Sequence, residues 1–311
     1  MHSQQAWAVI LAGGNGVRLS SLTRFISGED RPKQFCRLYG ARTLLAHTRC
    51  RLAPAIPPER TVFAVVKDHE RFYNAELGDV APSRLVVQPA NRGTTPAIIC
   101  SLLRIASLEE DPIVAFFPTD HHYSKESRFV ASVRLAIEVV RDRAHSLVVL
   151  GTSADRAEVE YGWIEPDGML PCRLTNSLFQ VRRFWEKPSV QVAQALQARG
   201  CLWNTFVMMG RVSTFLEMLK AAVPDLLQAF RGAIGWSAAV EARFDTERAE
   251  RFYATLAPGD FSRQVLSVCA DRLAVLRLGN VGWSDLGTPE RVLSAMEGSG
   301  LSVSLAGARS E

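Results

Sequence analysis

Short apolar runs separated by turn-forming clusters set the rhythm of the first half of the chain. Runs at 8–11, 61–66, 84–88, 113–117 and 146–150 are bounded by glycine, proline or polar residues. Apolar runs this short and this continuous predict strands buried on both faces. Between them lie segments with helical spacing. Leu44, Leu45, Thr48 and Leu52 share one face of a helix over 43–52, which Pro54, Pro57 and Pro58 close. Segments 68–77, 97–107 and 129–141 read the same way, with Pro96 tolerated in the first turn of the second. Strands alternating with helices predict an α/β fold, a mostly parallel sheet with helices on both faces.

The second half is less regular. Strands with polar tips are predicted at 161–165 and 181–188, a helix at 190–199, an apolar strand at 203–209 carrying Asn204, and a helix at 215–230. A strand at 273–278 leads into a glycine-rich turn, and Thr288 and Pro289 read as N-cap and first residue of a helix running toward Met296. No repeat or composition break divides the chain. One domain over 1–296 with an elaborated second half is expected, followed by a loose polar tail over 297–311.

The polar residues that interrupt this pattern cluster after the apolar runs, where open α/β sheets bind ligands. Leu11 and Ala12 lead into Gly13, Gly14 and Gly16, then Arg18. With so little side chain, backbone N–H groups there can surround a phosphate. Arg18 adds a guanidinium fork suited to phosphate oxygens. Lys33, after a proline, returns toward the same loop. Beside a phosphate its ammonium would neutralise the charge that develops as a phosphoryl group is attacked. Lys187, also next to a proline, is a candidate for a second phosphate. Asp120 and Asp285 each follow an apolar run, and two carboxylates from separate strand ends suit a hard cation such as Mg²⁺ alongside phosphate oxygens.

Plainer readings stand beside these. Either aspartate taken alone reads more often as a turn former or helix cap, Asp285 for the helix near Thr288. A dinucleotide-binding loop needs a third glycine where Leu19 stands, and a P-loop needs a Gly-Lys-Ser/Thr that is absent. A plain strand-to-helix turn also fits the glycines.

Composition narrows the class. Hydrophobic residues make up 47% of 311, enough for a substantial core and too many for a disordered chain. The net charge of +4 suits a small anionic substrate and is no basic stripe of the nucleic-acid kind. The six cysteines lie far apart without a C-x-x-C, which argues against a zinc site or a disulfide framework. No run is long enough to span a bilayer, and the N-terminus lacks the pattern of a secretory leader, so a cytoplasmic location is expected.

These pieces, in this order, resemble the sugar-phosphate nucleotidyltransferases, the mannose-1-phosphate guanylyltransferases above all. The match runs through Leu-Ala-Gly-Gly-Asn-Gly-Val-Arg-Leu, Pro-Lys-Gln-Phe, Arg-Gly-Thr-Thr-Pro-Ala-Ile, Phe-Pro-Thr-Asp-His, Tyr-Gly-Trp-Ile-Glu, Trp-Glu-Lys-Pro, Trp-Asn and Gly-Trp-Ser-Asp-Leu-Gly, over residues 7–290. The resemblance implies the Rossmann-like nucleotide-diphospho-sugar transferase fold. It also implies a Mg²⁺-dependent reaction in which NTP and sugar 1-phosphate give NDP-sugar and pyrophosphate. Carried over, Leu11, Ala12, Gly13, Gly14, Gly16 and Arg18 would hold the nucleotide phosphates, and Lys33 would act at the α-phosphate. Gln88, Arg92, Gly93 and Thr94 would lie against base and ribose. Asp120 and Asp285 would bind Mg²⁺. Tyr161, Gly162, Glu186 and Asn204 would contact the sugar hydroxyls, and Lys187 its phosphate. Gln34 resembles the guanylyl/mannose branch, and a homodimer is the family's expectation.

The chain departs from the family pattern at Val17, Ser20, Ser21, Gly93, Thr94, Thr95, Thr205, Phe206 and Asn280. The bulk after Asn204 stands where a glycine would let a sugar approach. None of these departures removes Arg18, Lys33, Asp120 or Asp285. An active enzyme is therefore expected, and the resemblance makes GTP and mannose 1-phosphate the expected substrates. The same chemistry on another NTP or another sugar 1-phosphate, and a non-catalytic nucleotide-binding protein on the same fold, are the alternatives. Nicotinamide oxidoreduction fits worst, for want of the third glycine.

Overall fold

The computed structural model describes residues 5–233 and 246–298. Along the chain the strands are β1 (Trp7–Leu11), β2 (Thr61–Val66), β3 (Leu85–Gln88), β4 (Ile113–Pro118), β5 (His121–Tyr123), β6 (Leu147–Ser153), β7 (Gly162–Met169), β8 (Leu178–Glu186), β9 (Leu202–Arg211), β10 (Leu273–Arg277) and β11 (Trp283–Asp285). Nine of them form one sheet in the order β3-β2-β1-β4-β9-β6-β10-β8-β7, and β11 pairs with β5 in a separate ribbon.

All five runs read from the first half are strands, and β3, β2, β1 and β4 pair in parallel. The second half does not continue that way. β9 lies antiparallel between β4 and β6, and β8 lies antiparallel on β10. β7 pairs antiparallel with both β8 and β9. The sheet is therefore mixed, not mostly parallel. An apolar run carries no direction; direction comes from the connection, and the short link between β7 and β8 can only turn the chain back on itself.

Side chains alternate across the strands and build a core on each face. Val9, Val62, Val86, Val114 and Phe116 pack with Ile98, Leu102, Phe215 and Met218. Ala8, Ile10, Phe63, Val65 and Phe117 pack on the other face with Leu45, Leu52, Phe129, Val133 and Ile137. Helices Thr94–Leu108 and Val212–Ala222 thus cover one face, and Leu44–Leu52 and Glu126–Asp142 the other.

Two local differences have plain causes. The single helix expected over 215–230 is two, Val212–Ala222 and Pro224–Ala233. Pro224 has no N–H to donate and pushes Val223 out of helical geometry, to φ −140°. The last helix begins at Pro289, as Thr288 and Pro289 predict, and runs to Gly298. Residues 299–311 of the expected tail lie outside the described residues. Val292, Ala295 and Met296 of that helix pack against Leu19, Cys36, Leu38 and Leu286, which docks the helix beside the segment that follows the glycine loop. Among the described residues no helix is long and apolar enough to cross a membrane.

Candidate active site

The glycine loop leaves the carboxyl end of β1 and is held from below. Ala12 N–H donates to the carbonyl of Ala64 at 2.8 Å. Gln34 is 1% exposed, and its Nε2 donates to the carbonyls of Ala12 at 2.8 Å and Gly14 at 2.9 Å. One buried amide thus sets the path of the loop and turns its remaining polar groups outward. Gly16, at φ +65°, lets the segment carrying Lys33 come close; a Cβ there would stand 3.2 Å from the Lys33 backbone nitrogen. The sequence marked Gln34 only as a family trait. Gln34→Leu, which leaves two carbonyls without their donor, is expected to cost about 1–3 kcal/mol of stability. Denaturant unfolding measures it.

Above the loop lies a cavity of about 370 Å³, lined by Leu11, Gly13, Gly14, Lys33, Gln88 and Asp120, among others. Gly93, Thr94, His121 and Phe206 complete much of its wall. Lys33 Nζ lies 2.5 Å from Asp120 Oδ2. Burial by itself would raise the Asp120 carboxyl, but the Lys33 ammonium and the His121 ring outweigh it and hold the group well below the usual carboxylate range. Asp120 therefore keeps its negative charge beside Lys33.

The ribbon of β5 and β11 brings the second aspartate to the first. His121 pairs with Asp285 across it, and Leu286 N–H donates to the Asp120 carbonyl at 2.7 Å. Asp285 Oδ1 takes the Tyr161 hydroxyl at 2.8 Å and Arg291 Nη1 at 2.6 Å. Its hydrogen bonds come from these side chains, so it does not serve as the cap of the last helix. Arg291 in turn holds Glu158 at 2.7 Å and lies over the Tyr161 ring. Burial, with Asp285 beside it, pushes the Tyr161 phenol up, so it stays a donor. A Cβ on Gly287 would stand 2.8 Å from Asp285 Oδ2 and 3.3 Å from Arg18 Nη2, which puts Arg18 at the same spot. Arg18 itself pairs with the exposed Glu160 at 2.7 Å. Arg291 and Glu158 escaped the sequence reading because the contacts of Arg291 with Asp285 and with Glu158 arise only through the fold.

The loop after β3 is locked to a distant segment. Gly93 forms a bridge with Gly259, Thr94 Oγ1 accepts from Phe261 N–H at 2.9 Å, and Arg92 Nε donates to the Tyr253 carbonyl at 2.9 Å. Arg92 thus points to the protein rather than into the cavity. Gln88 is buried, and the Tyr253 hydroxyl donates to its Oε1 at 3.4 Å. Gly93 has φ +85°, and a Cβ there would stand 2.3 Å from the Gly259 carbonyl oxygen. Gly93→Ala is expected to destabilise the protein by about 3 kcal/mol from strained backbone and clash. Denaturant unfolding measures it.

The residues matched to sugar contacts gather at the neighbouring strand ends. Gly162 pairs with Glu186 between β7 and β8, and the Tyr161 ring packs on Trp203 at 5.1 Å. Burial, with Asp260 adding to it, raises the Glu186 carboxyl, and Lys187 Nζ lies 3.3 Å from Glu186. Asn204 is buried, and its Oδ1 accepts from Phe206 N–H at 3.0 Å. That bond holds Phe206 at φ +55°, a conformation that costs a side-chain-bearing residue about 1–2 kcal/mol. None of Tyr161, Gly162, Glu186, Lys187 and Asn204 lines the cavity; Phe206 joins the two regions.

Comparison with known proteins follows the same lines. Residues 7–299 match the family described as nucleotidyl transferase. The chain is 31% identical over 294 residues to a mannose-1-phosphate guanylyltransferase of Escherichia coli (strain K12), covering 93% of this chain and 59% of that protein. It is 30% identical over 297 residues to the xanthan biosynthesis protein XanB of Xanthomonas campestris pv. campestris, covering 94% and 60%. It therefore spans about three-fifths of the length of these curated relatives. A crystal structure of mannose-1-phosphate geranyltransferase from Thermus thermophilus superposes with a TM-score of 0.77 at 28% identity, over 93% of this chain and 79% of that one. A putative glucose-1-phosphate thymidylyltransferase from Bacillus anthracis shares the fold, with a TM-score of 0.60 at 15% identity over 94% of each chain.

Proposed function

The chain belongs to the nucleotidyl transferase family, and from that premise we propose that it joins a nucleoside triphosphate to a sugar 1-phosphate, most readily GTP to mannose 1-phosphate. The products are GDP-mannose and pyrophosphate. The observation that carries this reading is the Lys33–Asp120 pair, lining a cavity beside the glycine loop with Asp285 on the adjoining ribbon.

The backbone of Gly13, Gly14 and Gly16 wraps the triphosphate, and Gln88, Gly93 and Thr94 meet the nucleoside. An oxygen of the sugar phosphate attacks the α-phosphorus in line. The bond to the bridging oxygen breaks, and pyrophosphate leaves with that electron pair. Lys33 neutralises the charge gathering on the α-phosphoryl oxygens, so its ammonium matters more in the transition state than in the ground state. Arg18 opens from Glu160 to the leaving phosphates, an exposed ion pair being cheap to exchange. No general base is required, because a sugar phosphate is already an anion near neutrality.

Asp120 and Asp285 fit a divalent cation. They are hard oxygen donors, and both hydrogen bonds to Asp285 fall on Oδ1, leaving Oδ2 as a ligand. Mg²⁺ held there would draw charge from the phosphate oxygens. Tyr161 and Arg291 fix the Asp285 carboxylate in the orientation this needs.

The test is pyrophosphate release over a grid of four NTPs and several sugar 1-phosphates, with Mg²⁺ and with EDTA. One dominant signal for GTP with mannose 1-phosphate, lost in EDTA, is the expected result. A different dominant pair would overturn the substrates and keep the chemistry; silence across the grid would overturn both. Phe206 narrows the route between the cavity and the sugar-side residues. Phe206→Gly is expected to broaden the range of sugar phosphates accepted, read as kcat/KM ratios across the same grid.

A further inference from the structure

A second cavity, of about 640 Å³, lies beside the reaction centre and shares no lining residue with it. Its wall comes from three pieces of chain: the stretch 26–37 around the Lys33 turn, the approach to helix Leu44–Leu52, and helix Glu70–Leu77. These bring four arginines to one space, Arg31, Arg37, Arg42 and Arg71, against one lining carboxylate, Glu76.

The arginines are under-neutralised. Arg31 and Arg71 share one carboxylate, Glu29, at 2.5 and 3.4 Å, and Arg31 also donates to the Phe35 carbonyl at 3.5 Å. Both guanidiniums also lie over the Phe72 ring, at 5.2 and 4.4 Å from its centre, which fixes two charges on an apolar floor. Arg37 and Arg42 are exposed and make no hydrogen bond or ion pair among the described residues. Glu76 already accepts from Thr43 Oγ1 at 2.5 Å, and burial raises its carboxyl, which weakens it as a counter-charge. Like charges gathered in a concave space repel one another and favour an anion that several of them can bind at once. Guanidinium forks match phosphate oxygens in geometry as well as charge.

We propose that this cavity is a second anion-binding site, taking a phosphate group, free or esterified to a small molecule, between Arg31, Arg37, Arg42 and Arg71. The volume is in the range of small-molecule sites, roughly 300–1,000 Å³. The segment that bears Arg31 and Arg37 also bears Lys33 and Gln34, so an anion here grips the chain on both sides of the lysine turn.

Calorimetric titration tests the site, and it needs no turnover, so it stands or falls apart from the reaction proposed above. Inorganic phosphate and glycerol 3-phosphate are titrated into the whole chain, into the double variant Arg37→Ala/Arg42→Ala, and into Ala75→Glu. Ala75 lies on the cavity wall, exposed on its helix, and a carboxylate there repels anions without disturbing the core. The expected result is binding by the wild-type chain that weakens at least tenfold, or loses one binding step, in both variants while their melting temperatures hold. Heat from both probes assigns the phosphate group itself as the ligand. Heat from glycerol 3-phosphate alone assigns a phosphate ester, and heat from inorganic phosphate alone assigns the free ion. Affinity and stoichiometry unchanged in both variants, or no heat from either probe with the wild-type chain, overturns the proposal.

Discussion

Replacing Asp120 by asparagine is expected to lower magnesium-dependent pyrophosphate release by about a thousandfold or more, the scale on which a bound metal stabilises transition-state charge. The side chain keeps its shape and loses its charge. Lys33 Nζ, now 2.5 Å from the carboxylate, would face a neutral amide, and the cation would lose one of its two anionic ligands. The fold should survive, because Asp120 stands at the cavity wall rather than in either core. Steady-state rates over a magnesium titration, with a melting curve as control, separate the outcomes. Asp285→Asn should likewise raise the magnesium needed for half-maximal rate. A rate within tenfold of wild type for Asp120→Asn would remove this residue from the metal site.

Lys33→Ala is expected to lower kcat by about 10²–10³, the cost of deleting one preorganised group that stabilises developing charge. KM for the sugar phosphate should change little, since in the proposed reaction the ammonium would act on the nucleotide. Lys33→Arg should not restore the rate. The lysine sits in a narrow place, with the Gly16 backbone against its own and Asp120 and the Leu286 carbonyl at its tip, and a planar guanidinium is wider and differently forked. Single-turnover measurement of the chemical step decides the matter. A rate constant within a few-fold of wild type would place the charge stabilisation elsewhere.

Much of this was legible in the chain itself. The five buried strands of the first half and the glycine loop after β1 follow from apolar runs and glycines, because burial on both faces and tight turns leave a local composition. Asp120 and Asp285 could be singled out because chemistry-bearing residues tend to follow strand ends, and Lys33 because it follows a proline on the way back to the glycine loop. The helix break at Pro224 was present in the sequence too, and the periodic apolar positions on either side of it masked it.

What the residues could not announce was who meets whom. Asp120 and Asp285 become neighbours through the three-residue pairing of β5 with β11, too short to carry a pattern of its own. Gln34 looked like a family trait until its amide was found holding two carbonyls of the glycine loop. The requirement for glycine at position 93 comes from the Gly259 backbone, far along the chain. Arg291 and Glu158 orient Asp285 from the last helix and from the stretch before β7. The sequence by itself determined the α/β class, the parallel first half and the glycine loop, because periodicity and backbone freedom are local properties. Only the tertiary structure decided the mixed strand directions of the second half, the pairing of the aspartates and the second cavity. Strand direction and side-chain convergence depend on connections and packing between residues far apart in the chain.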